Sequence, residues 1–153
     1  MTYEEFINAK QKEVNELPLF FAFSDKQMDQ QLAERGATRS DVYSLGNYGA
    51  FYLKKDKEII RAYFLKEDKL PELMKDEQFA EDAFYYEMCN HEYGINWQAD
   101  WDVCSCFASK ELEYDEEKDW RNYLEESGLG YCRKSYSKAL MRYREDAMNN
   151  EWF

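Results

Sequence analysis

In the first third of the chain, hydrophobic positions show helical spacing, then a short continuous apolar run, and then helical spacing again. Helical spacing begins at a capping box formed by Thr2 and Glu5 and ends before Pro18. The apolar run 19–23 follows directly and predicts a buried strand. A second helical pattern then continues to Gly36, a residue type that commonly ends helices.

Residues 42–54 predict a β-hairpin. The apolar runs 42–45 and 50–53 flank the segment 46–49, whose glycines and asparagine accept positive φ angles. Together with the run 19–23, this hairpin predicts a small antiparallel sheet of about three strands. Val and Ile together number seven against 27 aromatic residues, so the chain has little material for a larger sheet.

The remainder of the chain is dominated by helical spacing. Predicted helices lie at 57–64, after Pro71, at 76–94, at 117–127 and at 132–150, with a short helix or strand at 103–108 and a charged loop at 111–119. The fold class predicted is therefore α+β, in which five or six helices pack against the small sheet. We expect one domain over residues 1–153, with residues 117–153 forming a closing helical pair that ends in Trp152-Phe153.

Composition narrows the class of protein. The chain has 153 residues, of which 44% are hydrophobic, so a packed core is expected. Its net charge of −12 argues against direct binding to nucleic acid or to an anionic membrane, since both need basic surface. No apolar run reaches the length of a membrane span, and the first residues are acidic. We expect a soluble protein of the cytoplasm.

The excess negative charge lies in one segment. Residues 76–119, which we call the acidic segment, hold 14 acidic residues and two basic ones, Lys110 and Lys118. That difference equals the whole net charge, because the other residues comprise 18 acidic and 18 basic ones. Large ring side chains are interspersed among these carboxylates: Tyr85, Tyr86, Tyr93, Trp97, Trp101 and Tyr114.

Two interpretations of the acidic segment remain open. The simpler one is a solvated face that aids solubility. The other is a surface that binds a basic protein in the groove where that protein otherwise holds phosphates. In the second case aromatic side chains supply the binding energy, and carboxylates pair with Lys and Arg. The candidate partner-binding residues are Asp76, Glu77, Glu81, Asp82, Glu87, Glu92, Tyr93, Trp97, Asp100, Trp101, Asp102, Glu113, Tyr114, Asp115, Glu116 and Glu117.

Catalytic chemistry has weaker support. Cys89, His91, Cys104 and Cys106 could supply four zinc ligands, but a single residue between paired ligands is unusual for zinc. Buried free thiols in a reducing cytoplasm are the simpler interpretation. We therefore predict no catalytic residue, no metal and no cofactor. The predicted C-terminal helix carries a basic stripe, which we expect to pair with the acidic segment of the same chain or of a second copy: Arg133, Lys134, Lys138, Arg142 and Arg144.

Three stretches resemble a known group of proteins. The first is Tyr3-Glu4-Glu5-Phe6-Ile7, and the second is Leu17-Pro18 together with Phe20-Phe21-Ala22-Phe23-Ser24. The third is Asn90-His91-Glu92-Tyr93-Gly94-Ile95. Together they resemble small uncharacterised proteins of phages and prophages of Gram-positive bacteria, over residues 1–107. The resemblance implies no activity, but it implies that the protein acts in the cytoplasm of a bacterial host cell. It also implies a context in which small acidic proteins bind host factors, as anti-CRISPR proteins do in the nucleic-acid groove of a Cas nuclease.

The leading functional hypothesis is thus a non-enzymatic, phage-encoded inhibitor. It binds a basic nucleic-acid-binding host protein, for instance a CRISPR effector nuclease, through the acidic aromatic surface. One alternative is a phage accessory protein that self-associates, for example as a homodimer, and has no host target. The third is a small zinc or thiol hydrolase.

Overall fold

The computed structural model describes residues 1–152, so Phe153 and the end of the predicted closing pair lie outside the described residues. The described part contains eight α-helices and one three-stranded antiparallel sheet, which confirms the α+β class. The helices are α1 (Tyr3–Asn15), α2 (Asp25–Arg35), α3 (Lys57–Phe64), α4 (Leu70–Leu73), α5 (Glu77–Asn90), α6 (Ala99–Ser105), α7 (Trp120–Glu126) and α8 (Arg133–Asn149). The eight helices exceed the expected five or six, and the total includes the short helices α4 and α6.

The chain forms two compact units. Residues 10–67 make up the first, which we call the sheet unit, and residues 1–9 with those from 68 onward make up the second, the helical unit. The sequence predicted a single domain over residues 1–153. That assignment stays a prediction.

The sheet unit contains β1 (Phe20–Phe21), β2 (Val42–Leu45) and β3 (Ala50–Leu53). β3 lies in the centre, pairing with β1 on one side and β2 on the other, and both pairings are antiparallel. The predicted hairpin is confirmed, and its turn contains two glycines with φ angles of 65° and 72°, which glycine adopts without strain. The described buried hydrophobic residues of this unit are Phe20, Ala22, Leu32, Ala50, Leu53 and Ile60.

Local signals place the ends of several helices where they were expected. Thr2 and Glu5 form the reciprocal capping box of α1, with bonds of 2.8 and 3.1 Å. The side chain of Ser24 caps α2, which ends at Gly36 with a φ of 60°. The side chain of Asp76 caps α5 by accepting a bond from the backbone of Phe79. These caps satisfy amides that have no partner within the helix.

Helices α5 and α8 form the main packed pair of the helical unit. Phe84 of α5 meets Tyr136 of α8 edge to face, with ring centroids 4.9 Å apart. Trp120 of α7 stacks on the same tyrosine at 4.8 Å. The face of α5 that packs into the core comprises Phe79, Ala80, Ala83, Phe84 and Met88, all of which are buried. Of the helices within residues 1–152, none combines the length and apolar character needed to cross a membrane.

Candidate functional site

The predicted partner-binding residues differ widely in exposure. Eight of them are exposed: Asp76, Glu77, Glu92, Trp97, Glu113, Asp115, Glu116 and Glu117. Seven are partly buried: Glu81, Asp82, Tyr93, Asp100, Trp101, Asp102 and Tyr114. Glu87 is buried. The acidic segment therefore contributes both to the surface and to the interior.

Glu87 is a correction to the predicted docking surface. It is 6% exposed, and its Oε1 accepts a hydrogen bond of 2.8 Å from the hydroxyl of Tyr3. Burial and this bond raise the pKa of Tyr3, so the phenol stays protonated and donates. Burying a carboxylate is energetically costly unless hydrogen bonds of this kind compensate for its lost hydration. Glu87 thus belongs to the interior and not to a surface that a partner could reach.

Asp100 and Asp102 also have partners within the helical unit. Asp100 Oδ1 accepts hydrogen bonds from the hydroxyls of Tyr93 and Tyr136, the latter at 2.9 Å. Asp102 accepts a bond of 2.7 Å from the amide of Asn96. Burial first, and Asp100 after it, raise the pKa of Tyr93. These carboxylates therefore satisfy buried polar groups, a role that negative charge in the sequence does not reveal.

Two carboxylates of α5 pair with the basic stripe of α8. Arg142 lies 2.9 Å from Asp82, and Lys134 lies 3.5 Å from Glu77. The guanidinium of Arg142 also lies 3.9 Å from the ring centre of Tyr85. The expected pairing within the chain is confirmed for these two cations. It offsets part of the charge that the acidic segment would otherwise present.

An exposed acidic aromatic patch remains around Trp97, which is 77% exposed. Its ring meets Tyr114 edge to face at 5.5 Å, and Tyr114 in turn meets Trp101 at 5.9 Å. Trp101 is anchored by a bond of 2.7 Å from its Nε1 to the carbonyl of Leu112. We define the Trp97 surface as Glu92, Ile95, Trp97, Glu113, Tyr114, Asp115, Glu116 and Glu117.

The carboxylates of the Trp97 surface have no cation of the described chain within 4 Å. Their field acts on the neighbouring phenol. Partial desolvation, followed by Glu116 and Asp115, raises the pKa of Tyr114. This surface thus keeps its negative charge available to an external partner, in contrast to Glu87, Asp82 and Asp100.

A second cluster joins α5 to α6. Glu87 and His91 lie one turn apart at the end of α5, and Cys106 follows the last residue of α6. Their side-chain atoms approach closely: Glu87 Oε2 to His91 Nε2 is 3.4 Å, Cys106 Sγ to His91 Nε2 is 3.4 Å, and Cys106 Sγ to Glu87 Oε2 is 3.5 Å. These three atoms satisfy the geometry of a metal-ligand group.

Only two of the four residues considered as zinc ligands meet. His91 and Cys106 are in contact, whereas Cys104 is fully buried beside Tyr136 and Cys89 lies beside Tyr85. Sequence reasoning missed Glu87, although its spacing of four from His91 places both on one helix face. Burial and Glu87 raise the pKa of the Cys106 thiol to about 12, which opposes its use as a nucleophile at neutral pH.

The fold and these two sites define a small α+β protein with an anionic aromatic surface and a Glu-His-Cys cluster. The chain belongs to a family of unknown function, DUF7659, whose model matches residues 2–104. The match ends within α6, so α7 and α8 lie beyond it. Neither the curated proteins nor the solved structures that were compared include a match.

Proposed function

We propose that this protein is a non-enzymatic inhibitor that binds a basic nucleic-acid-binding protein through the Trp97 surface. The observation that carries the proposal is the exposure of Trp97 beside carboxylates that have no cationic nitrogen of the described chain within 4 Å. The finer version, in which a phage-encoded protein inhibits a CRISPR effector nuclease of its bacterial host, rests on the sequence resemblance alone.

Trp97 is suited to anchor such a complex. Tryptophan is enriched among the residues that dominate binding energy, because its large ring loses contact with water while its N–H can still donate. The edge-to-face contact with Tyr114 limits the ring's freedom before binding. A side chain that is already ordered loses less entropy on association, which favours affinity.

The surrounding carboxylates supply recognition of a basic groove. A protein that binds nucleic acid places Lys and Arg where they meet phosphates, and Glu113, Asp115 and Glu116 offer the same cations an alternative anion. Charge complementarity of this kind mainly accelerates encounter and selects the partner. Because the carboxylates are exposed, salt screens them, and the complex should weaken as ionic strength rises.

The test compares matched aromatic variants. Wild-type protein, Trp97→Ala and Tyr48→Ala serve as baits in host-cell lysate at low and high salt, and Tyr48 is an apt control because it is 83% exposed in the sheet unit. The captured protein is then purified, and the bait is titrated into its complex with labelled DNA or RNA. We expect a basic protein whose nucleic acid is displaced, with affinity for Trp97→Ala at least about tenfold weaker and Tyr48→Ala unchanged.

Three results would contradict the proposal. One is recovery of the bait protein alone, which favours the self-associating accessory protein instead. Another is a captured protein that keeps its nucleic acid when the bait is in excess. The last is equal loss of binding in Trp97→Ala and Tyr48→Ala, since the Trp97 surface would then have no specific role.

A further inference from the structure

We propose that Glu87, His91 and Cys106 bind one Zn²⁺ ion, with water as the fourth ligand. This inference goes beyond the proposed function and does not depend on it. The three residues lie at adjoining ends of α5 and α6, within the helical unit. The sequence offers a set of three cysteines and His91, from which we predicted no metal, whereas the cluster in the structure keeps His91 and Cys106 and adds Glu87.

The distances between the three atoms match the edges of a tetrahedral zinc site. With Zn–S of about 2.3 Å and Zn–N and Zn–O of about 2.0–2.2 Å, tetrahedral angles place ligand atoms about 3.3–3.6 Å apart. The observed separations are 3.4 Å from Glu87 Oε2 to His91 Nε2, 3.4 Å from Cys106 Sγ to His91 Nε2 and 3.5 Å from Cys106 Sγ to Glu87 Oε2. The three atoms are therefore spaced as the ligands of one zinc ion would be.

The same geometry argues against a Cys-His-acid catalytic triad. In a triad the nucleophile contacts one imidazole nitrogen and the carboxylate contacts the other, so that the acid orients the base. Here the sulfur of Cys106 and the carboxylate of Glu87 both approach Nε2 of His91. Three donor atoms that converge on one point suit a shared cation better than a proton relay.

Neighbouring hydrogen bonds hold the ligands in place. Tyr3 donates to Oε1 of Glu87 at 2.8 Å, which leaves Oε2 directed at the other two ligands. Asn90 Nδ2 donates to the ligand oxygen itself, Glu87 Oε2, at 3.3 Å, and Asn96 donates to the backbone carbonyl of His91 at 3.1 Å. Such outer partners fix the orientation of metal ligands and increase metal affinity.

The donor types favour zinc among common divalent ions. A thiolate and an imidazole suit Zn²⁺, whereas Mg²⁺ and Ca²⁺ prefer oxygen ligands throughout. The His91 side chain is 30% exposed and Cys106 is exposed, so solvent reaches the cluster and can provide both the ion and the fourth ligand. Binding converts the Cys106 thiol into a thiolate and releases its proton to solvent.

The experiment titrates the full-length protein, freed of metal by chelation, with Co²⁺ and then with Zn²⁺. Co²⁺ bound by a thiolate gives a sulfur-to-metal charge-transfer band, which Zn²⁺ should displace at one equivalent. Cys106→Ser should abolish that band, and His91→Ala should weaken binding at least about tenfold. Cys89→Ser is the matched control, because Cys89 is also exposed and lies on α5 between Glu87 and His91.

Absence of a Co²⁺ band and of stoichiometric Zn²⁺ binding in the wild type would overturn the proposal. So would a Cys106→Ser protein that binds Zn²⁺ as tightly as the wild type, or a Cys89→Ser protein that loses binding equally. Circular dichroism of each variant identifies any loss of folding, and Tyr3→Phe gives a second readout. That variant keeps all three ligands, so we expect it to weaken Zn²⁺ binding and leave the charge-transfer band in place.

Discussion

The helical unit and the sheet unit differ in the size of their hydrophobic cores and in their net charge. Of the 28 buried hydrophobic residues in the described chain, 22 lie in the helical unit and six in the sheet unit. The charge divides just as unevenly: the helical unit has 23 acidic and 10 basic residues, and the sheet unit has nine and 10. The unit with the larger core therefore also carries the net charge.

The two units also use their aromatic residues differently. In the helical unit, Tyr3 and Tyr136 are buried, and their hydroxyls donate to Glu87 and Asp100. Exposed rings occur in the helical unit too, but in the described sheet unit Phe20 is the one buried aromatic residue. Five others in that unit are exposed: Phe21, Phe23, Tyr43, Tyr48 and Phe64. The comparison teaches that the carboxylates of the acidic segment are partly structural, because buried phenols require acceptors.

Alkaline pH should give the largest difference between the units. Burial raises the pKa values of Tyr3, Tyr93 and Tyr136, and also of the thiols of Cys104 and Cys132, the last to about 11. Unfolded thiols ionise near pH 8.5 and unfolded phenols near pH 10. Above those values the unfolded state loses protons that the folded state keeps, so the free energy of unfolding falls as pH rises. Each phenol contributes at most about 1.4 kcal/mol per pH unit above 10.

Urea unfolding between pH 8 and pH 11 checks this expectation. The decline should begin near pH 9, steepen above pH 10, and become shallower in Tyr136→Phe. Tyr48→Phe is the control, because that side chain is 83% exposed, and it should leave the slope as in the wild type. A free energy of unfolding that stays constant up to pH 11 would show that the buried phenols do not behave as the structure implies.

The second-largest difference between the two units should come from truncating one aromatic ring in each and comparing the losses in free energy of unfolding. Phe84 is fully buried in the helical unit, and Phe84→Ala should lower the free energy of unfolding by about 3–5 kcal/mol. Phe64 is 58% exposed in the sheet unit, and Phe64→Ala should change it by no more than about 0.5 kcal/mol. Urea denaturation of both variants measures the difference, and equal losses would contradict the assignment of the main core to the helical unit.

Replacing one surface cation in each unit should give the smallest difference in stability between the two units. Arg142 combines an ion pair to Asp82 with a position over the ring of Tyr85, so Arg142→Ala should destabilise by about 1 kcal/mol. Arg39 pairs with Asp25 and Asp29 on open surface, so Arg39→Ala should change the free energy of unfolding less than Arg142→Ala does. Thermal unfolding at low and at high salt resolves the two effects. A larger loss for Arg39→Ala would reverse the comparison.

Much of the fold could be predicted because its signals are local. The caps at Thr2, Ser24 and Asp76 and the glycines of the hairpin act within a few residues. Their limits are also physical. The predicted strand over 19–23 shortens to Phe20–Phe21, since only those two residues pair with β3. The helix expected to reach Gly94 ends at Asn90.

The candidate site was harder to predict because its contacts join distant parts of the chain. The buried carboxylate of Glu87 accepts a hydrogen bond from Tyr3, which lies 84 positions away in the chain. The periodicity within α5 gives no sign of that hydrogen bond. His91 and Cys106 are 15 positions apart and meet only after α6 has packed. By contrast, the exposure of Trp97 agrees with its place in an irregular, polar stretch between two helices.

The packing of α5 against α8 has a practical consequence for anyone who expresses this protein. Residues 107–147 supply 12 of the 22 buried hydrophobic residues of the helical unit, whereas the family match stops at residue 104. A truncated protein that ends with the matched region would expose the buried side chains of Phe84 and Met88 to solvent. The exposed apolar face of α5 would then favour aggregation. The boundary of sequence similarity is therefore the wrong place to cut.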